Sequence, residues 1–177
     1  MPPQGYKARP TTDFAKEGLF NILNNEYEME GLQVLDLFGG TGAISYEFAS
    51  RGASRVYCVE MLPLHANFIK SQAAKFGMDN LTVVRHNVFE FLEICREKFD
   101  LIFADPPYGK DLTAELIKRI LRGGLLKKGG LLMVEGGIEL DEADIPESVR
   151  ETIESIKRYK FSKCYVYFVR TKKEEEA

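Results

Sequence analysis

The 177-residue sequence has only three cysteines, Cys58, Cys95 and Cys164, far apart and never in a close pair, which argues against a disulfide framework and against a zinc cluster. No apolar run approaches the roughly 18 residues that a membrane span needs, and Met1-Pro2-Pro3-Gln4-Gly5 does not resemble a signal peptide, so cytoplasmic residence is expected. An excess of positive charge is also missing. Lys and Arg number 24 against 27 Asp and Glu, a net charge of −3, so any binding of nucleic acid has to be local. There is no internal repeat. His65, His86 and Ser45 form no set whose spacing suggests nucleophilic catalysis or metal ligation, and no metal is expected. What the chain does have is material for a core, with 45% hydrophobic and 11% aromatic residues at a length suited to one domain.

The order of elements narrows the fold. Phe14, Gly18, Leu19, Ile22 and Leu23 share one face of a predicted helix over 14–23 that Thr12 or Asp13 can cap. Gln33 to Phe38 is an apolar run broken only by Asp36 and stopped by Gly39-Gly40-Thr41-Gly42, as expected of a buried parallel strand entering a tight turn. Further strands are predicted at 55–60, 81–85, 99–104 and 130–134, alternating with helices at 43–51, 64–76, 89–96 and 113–121. Such alternation implies right-handed crossovers and a parallel sheet covered by helices on both faces. The tail differs: 149–159 and 164–169 follow each other across a short link and read as an antiparallel hairpin. The expected architecture is a Rossmann-like α/β domain over 1–177 with a seven-stranded, mostly parallel sheet. Residues 1–30 form an N-terminal segment and helix, and 31–177 form the core.

In such a sheet, ligands bind beyond the carboxyl ends of the strands, where a glycine turn lets backbone approach closely. Gly39, Gly40, Thr41 and Gly42 occupy that place after the first strand. Glu60 ends the second strand 18 residues after Gly42, about where a carboxylate can reach both hydroxyls of a ribose, and Asn87 follows the third strand, where an amide can meet an adenine edge. A bare turn and a solvated strand end explain either feature alone; together they suit adenosine. Gly40 to Ser45 lacks the third glycine of a pyrophosphate cradle, and Asp36 would repel a diphosphate, so the positive S-adenosylmethionine fits better.

Asp105-Pro106-Pro107-Tyr108 follows the fourth strand. A purine amine is a poor nucleophile because its lone pair is delocalised into the ring. Two acceptors that grip its N–H bonds, the Asp105 carboxylate and the Pro106 carbonyl, can turn that lone pair toward a methyl group. Prolines fix φ near −65°, so Pro106 and Pro107 stiffen the loop, and Tyr108 offers a face for an extruded base. The same tetrapeptide alone is ordinary loop punctuation.

These residues resemble the class I methyltransferases that carry Asp-Pro-Pro-Tyr or Asp-Pro-Pro-Phe, and within them the bacterial guanine-N2 methyltransferase family of small-subunit ribosomal RNA. Arg9-Pro10-Thr11-Thr12-Asp13 with Glu17 to Leu23 looks like that family's N-terminal signature, Val34 to Ala43 like its cofactor loop, and Leu131 to Glu135 like its fifth-strand segment. The resemblance implies that Thr11, Asp36, Phe38, Gly39, Gly40, Thr41, Gly42, Glu60, Met61, Asn87 and Val88 bind S-adenosylmethionine. It implies catalysis by Asp105, Pro106, Pro107 and Tyr108, and a monomer acting on small-subunit ribosomal RNA or an assembling small subunit, with no membrane partner. Phe38 stands where methyltransferases at large often have glycine, and Met1 to Lys7 is shorter than the basic segment usual in the family.

Lys157 to Lys173 holds seven basic residues and no acidic one, leaving 17 basic against 27 acidic residues elsewhere. Lys157, Arg158, Lys160, Lys163 and Arg170, with Lys7 and Arg9, are therefore the expected RNA contacts, although the same lysines could simply solvate a hairpin. Methylation of an adenine amine in nucleic acid, or of a protein glutamine amide, would use the same acceptors; the protein-directed family usually has Asn where Asp105 stands. A noncatalytic cofactor-binding module is the third reading.

Overall fold

In the computed structural model, which describes residues 13–175, seven strands form one sheet in the order β3-β2-β1-β4-β5-β7-β6. The chain divides into two compact units, the first running through Val88 and the second beginning at Phe89.

In the first unit, α1 (Asp13–Glu26) precedes β1 (Gln33–Leu37), α2 (Ala43–Ser50), β2 (Arg55–Val59), α3 (Pro63–Lys75) and β3 (Leu81–Val84). β1 pairs parallel to β2, and β2 parallel to β3. Val34, Leu35 and Leu37 are fully buried, the burial expected of a strand whose sequence does not alternate. Proline begins α3, where its missing N–H has no partner to lose, and Gly77 at φ 63° follows the helix end. α1 buries Ala15, Leu19, Phe20 and Leu23, and Phe20 meets Phe48 of α2 edge-on at 5.0 Å. Phe14 departs from the expected face: it is exposed, because the stripe that α2 covers is centred on Leu19 and Phe20.

The second unit contains α4, which starts at the junction (Val88–Ile94), β4 (Phe99–Ala104), α5 (Lys110–Arg122), β5 (Leu126–Gly136), a single 3₁₀ turn (Glu142–Asp144), α6 (Glu147–Arg150), β6 (Ile153–Phe161) and β7 (Cys164–Thr171). β4 and β5 are parallel, with Phe103 beside Met133 and Ala104 beside Val134. β7 returns antiparallel to β5, and β6 is antiparallel to β7 at the sheet edge. α5 buries Thr113, Leu116, Ile117 and Ile120, an apolar stripe at helical spacing. The predicted strand over 149–159 begins later, at Ile153. Val149 lies in the short α6 after Pro146, and Thr152 Oγ1 donates to Val149 O at 2.7 Å, closing that turn before the chain extends. Among the described residues, no helix is long and apolar enough to cross a membrane.

Candidate active site

The first unit builds a carboxylate clamp at the glycine turn. Phe38 at φ 61°, Gly40 at 58° and Gly42 at 83° all adopt the left-handed region, so the chain reverses sharply between β1 and α2. Phe38, the non-glycine member, holds a conformation that costs an L residue on the order of 1 to 2 kcal/mol. Gly39 is required for a different reason: a Cβ there would lie 2.3 Å from Cys58 Sγ, because the turn is pressed onto β2. The Tyr46 ring fills the place that a Gly42 side chain would take. Directly after β2, Glu60 reaches back to this turn. Gly40 N–H donates to its Oε2 at 2.8 Å and Leu62 N–H to its Oε1 at 3.1 Å. Glu60 is buried, with His65 Nδ1 3.6 Å from Oε1. Two backbone donors thus fix the plane of the carboxylate, and each oxygen carries a second lone pair with which to accept a hydroxyl.

Other expected cofactor residues gather around that clamp. His86 N–H donates to Glu60 O at 3.3 Å, and Asn87 Nδ2 lies 3.8 Å from the sulfur of Met61. Met61 is exposed and Val88 buried at the head of α4. Asp36 is buried in β1, where Ser45 Oγ donates to it at 2.6 Å. Spacing alone did not reveal this pair, since it requires the turn to fold the first turn of α2 back over β1. Thr41 sits half-buried in the turn. Thr11 lies outside the described residues.

The second unit carries the residues expected to act as amine acceptors. Directly after Ala104 come half-buried Asp105, buried Pro106, exposed Pro107 and half-buried Tyr108. The Tyr108 ring lies 5.7 Å from that of Phe89 at an interplanar angle of 30°, and Arg119 covers Phe89 at 5.1 Å, so the tyrosine is braced from α4 and α5. Pro106, Pro107 and Tyr108 line a cavity of about 200 Å³ together with Val134, Glu135 and Tyr167.

Two residues with no role assigned from the sequence join this group. Glu135, at the end of β5, is 5% exposed, and Cys164 Sγ donates to its Oε1 at 3.1 Å. Burial, then the Glu135 carboxylate, then that of Asp105 push the Cys164 thiol up to about 12. The thiol therefore stays protonated at neutral pH and acts as a donor.

The basic hairpin distributes its charge over two faces. Arg158 is opposite Tyr167 and Lys160 opposite Tyr165, and both cations lie near the Tyr165 ring, at 5.7 and 5.4 Å. Lys157 and Arg170, opposite Phe168 and Ser155, take the other face. Lys163 occupies the turn beside Ser162, which has φ 58°. Arg158 is also paired with Glu139. Lys7 and Arg9 lie outside the described residues. Among the described residues, no group of three or more His, Cys, Asp and Glu side chains gathers as a metal site.

A family model described as conserved hypothetical protein 95 matches residues 1–170. The ribosomal RNA small subunit methyltransferase D of Buchnera aphidicola (subspecies Baizongia pistaciae) is 33% identical over 127 residues, which span 72% of this chain and 64% of that protein, just under two thirds of its length. The protein of the same name from Escherichia coli K12 is 31% identical over 144 residues, covering 81% of this chain and 72% of its own. A solved Escherichia coli structure, provisionally named a methyltransferase, superposes with a TM-score of 0.80 at 27% identity, over 94% of this chain and 89% of that one. An S-adenosylmethionine-dependent O-methyltransferase from Thermotoga maritima shares the fold, with a TM-score of 0.70 at 19% identity over 96% of this chain and 69% of its own.

Proposed function

The chain belongs to the conserved hypothetical protein 95 family, and from that premise we propose that it is an S-adenosylmethionine-dependent methyltransferase acting on the exocyclic 2-amino group of a guanine in small-subunit ribosomal RNA. The observation that carries the reading is the Asp105-Pro106-Pro107-Tyr108 loop, with a half-buried carboxylate at the end of β4, a carbonyl fixed by proline and a braced aromatic ring beside a cavity. The relatives named as small-subunit ribosomal RNA methyltransferases support the choice of substrate.

The residues of the first unit suit the cofactor by their chemistry. Glu60 offers paired acceptors for the ribose hydroxyls, Asn87 and Met61 an amide and an apolar flank for adenine, and buried Asp36 a negative field for a cationic ligand. When bound, S-adenosylmethionine supplies a methyl group on a sulfonium: a nitrogen–carbon bond forms as the carbon–sulfur bond breaks, leaving a neutral thioether. The protein's task is to make the amine receptive. The Asp105 carboxylate and the Pro106 carbonyl each accept an amine N–H, which turns the nitrogen lone pair out of conjugation. Asp105 then takes the proton that the alkylated nitrogen must lose. Tyr108 holds the extruded base by stacking, offsetting part of the few kcal/mol that leaving the helix costs.

The test offers labelled-methyl cofactor with total RNA, small subunits, DNA and protein from a strain lacking the modification. Label in small-subunit RNA is the expected outcome. Label confined to DNA or protein would transfer the same acceptor chemistry to another substrate class and overturn the choice of RNA.

A further inference from the structure

We infer that Glu135 is a specificity-determining residue that accepts the N1–H of the target guanine, beside the Asp105 that grips its 2-amino group; this rests on the reading of the site as a guanine amine methyltransferase. β4 and β5 run parallel, and their last paired residues here are Ala104 and Val134. Asp105 follows Ala104 directly at the end of β4 and Glu135 follows Val134 within β5, so the two carboxylates each stand one residue beyond the last pair of these neighbouring strands. Cys164 on β7 donates its thiol to Glu135, and the charge of Asp105 adds to the upward shift of that thiol. Glu135 also lines the cavity beside Pro106 and Tyr108.

A second carboxylate is costly here. β5 is otherwise apolar from Leu131 to Val134, and a buried carboxylate beside another acid is penalised by both desolvation and repulsion. A hydrophobic residue would fit the strand better, so the acid points to a ligand rich in donors. Guanine matches it, because its N1–H and the two hydrogens of its 2-amino group form a contiguous row of donors. One carboxylate answers the amine and the other answers N1–H. Adenine has an acceptor at N1, which a carboxylate repels, so Glu135 would reject the base that the Asp-Pro-Pro-Tyr loop alone could also accept. The protonated Cys164 thiol holds Oε1 in place and thereby orients the carboxylate.

The test compares small-subunit RNA fragments whose mapped target is guanine or 2,6-diaminopurine, which keeps the 2-amino group but has no hydrogen on N1. The parent protein should favour guanine in kcat/KM by about 10- to 100-fold, the range of a hydrogen bond to a charged group. Glu135→Gln can donate its amide N–H to N1 of diaminopurine and should narrow that ratio by at least about tenfold, while cofactor Kd stays unchanged. A merely structural role for Glu135 would leave the ratio alone. Equal use of both purines by the parent protein overturns the inference, as does an unchanged ratio in Glu135→Gln. If the variant does not fold, the parent ratio decides. Absence of any guanine methylation by the parent protein, with methyl transfer to another acceptor, overturns the functional reading itself and this inference with it.

Discussion

Replacing Glu60 by Gln changes one atom of the clamp and should affect stability and cofactor binding separately. The carboxylate accepts Gly40 N–H at 2.8 Å on one oxygen and Leu62 N–H at 3.1 Å on the other. Glutamine keeps one acceptor oxygen, so its NH₂ must face one of the two backbone donors. Leaving a buried donor unsatisfied costs about 1 to 3 kcal/mol. For a domain of this size each kcal/mol lowers Tm by about 2 to 4 °C, so a fall of roughly 2 to 12 °C is expected in the protein without cofactor. The same change removes an acceptor from the ribose pair and should weaken S-adenosylmethionine by about 1.5 to 3 kcal/mol, or roughly 10- to 150-fold in Kd. Thermal melting reads the first effect and titration calorimetry the second. A lowered Tm with unchanged Kd would refute the reasoning, because Glu60 would then only pin the turn.

Gly39→Ala forces a Cβ to 2.3 Å from Cys58 Sγ and should cost about 1 to 3 kcal/mol in denaturant unfolding, whereas Gly39→Ala with Cys58→Ala should recover part of that loss. Asp105→Ala should abolish turnover with cofactor affinity largely retained, and Asp105→Asn should lose less because its amide oxygen still accepts; steady-state methyl transfer measures both. Charge reversal of Lys160 and Lys163 should raise the RNA KM and flatten its dependence on salt, by a log–log slope of about 0.7 to 0.9 for each phosphate no longer neutralised. Reversing Lys157 and Arg170, which take the other face, should flatten it less. Burial and neighbouring carboxylates raise the Cys164 thiol to about 12 from an ordinary 9.0. Because the native value exceeds the unfolded one, the stability linked to this group is complete below pH 9 and is lost as pH rises toward 12. Cys164→Ala should remove part of the alkaline loss in pH-dependent unfolding, and the remainder belongs in part to Cys58, which is raised in the same direction.

The parts of the candidate site that are legible in the sequence lie where local and global signals coincide. The glycine turn, Glu60 and the Asp-Pro-Pro-Tyr loop each mark the end of an apolar run, and a parallel strand that ends in special residues is conspicuous without coordinates. Glu135 ends such a run too, yet the role proposed for it draws on Cys164, 29 residues further on. Only the antiparallel return of β7 brings the two together, and no spacing rule encodes that return. Ser45 was hidden for the same reason, since its tie to Asp36 exists only once the turn has closed. The division of the basic run was available in principle. Lys157 and Arg158 are adjacent, and adjacent residues of a strand face opposite ways. Val149 and Phe14 show the limit of periodicity: an apolar residue near the end of an element can satisfy the pattern and still fall into a cap or solvent, depending on what packs above it.

The central claim is the chemical identity of the methylated atom. Small-subunit RNA methylated by the parent protein, digested to nucleosides and resolved by mass spectrometry against standards, should contain N2-methylguanosine as the new product, absent when Asp105→Ala is used. N6-methyladenosine, or guanosine methylated at N1 or N7, in place of N2-methylguanosine would contradict the account, because in neither case would the 2-amino group be the nucleophile.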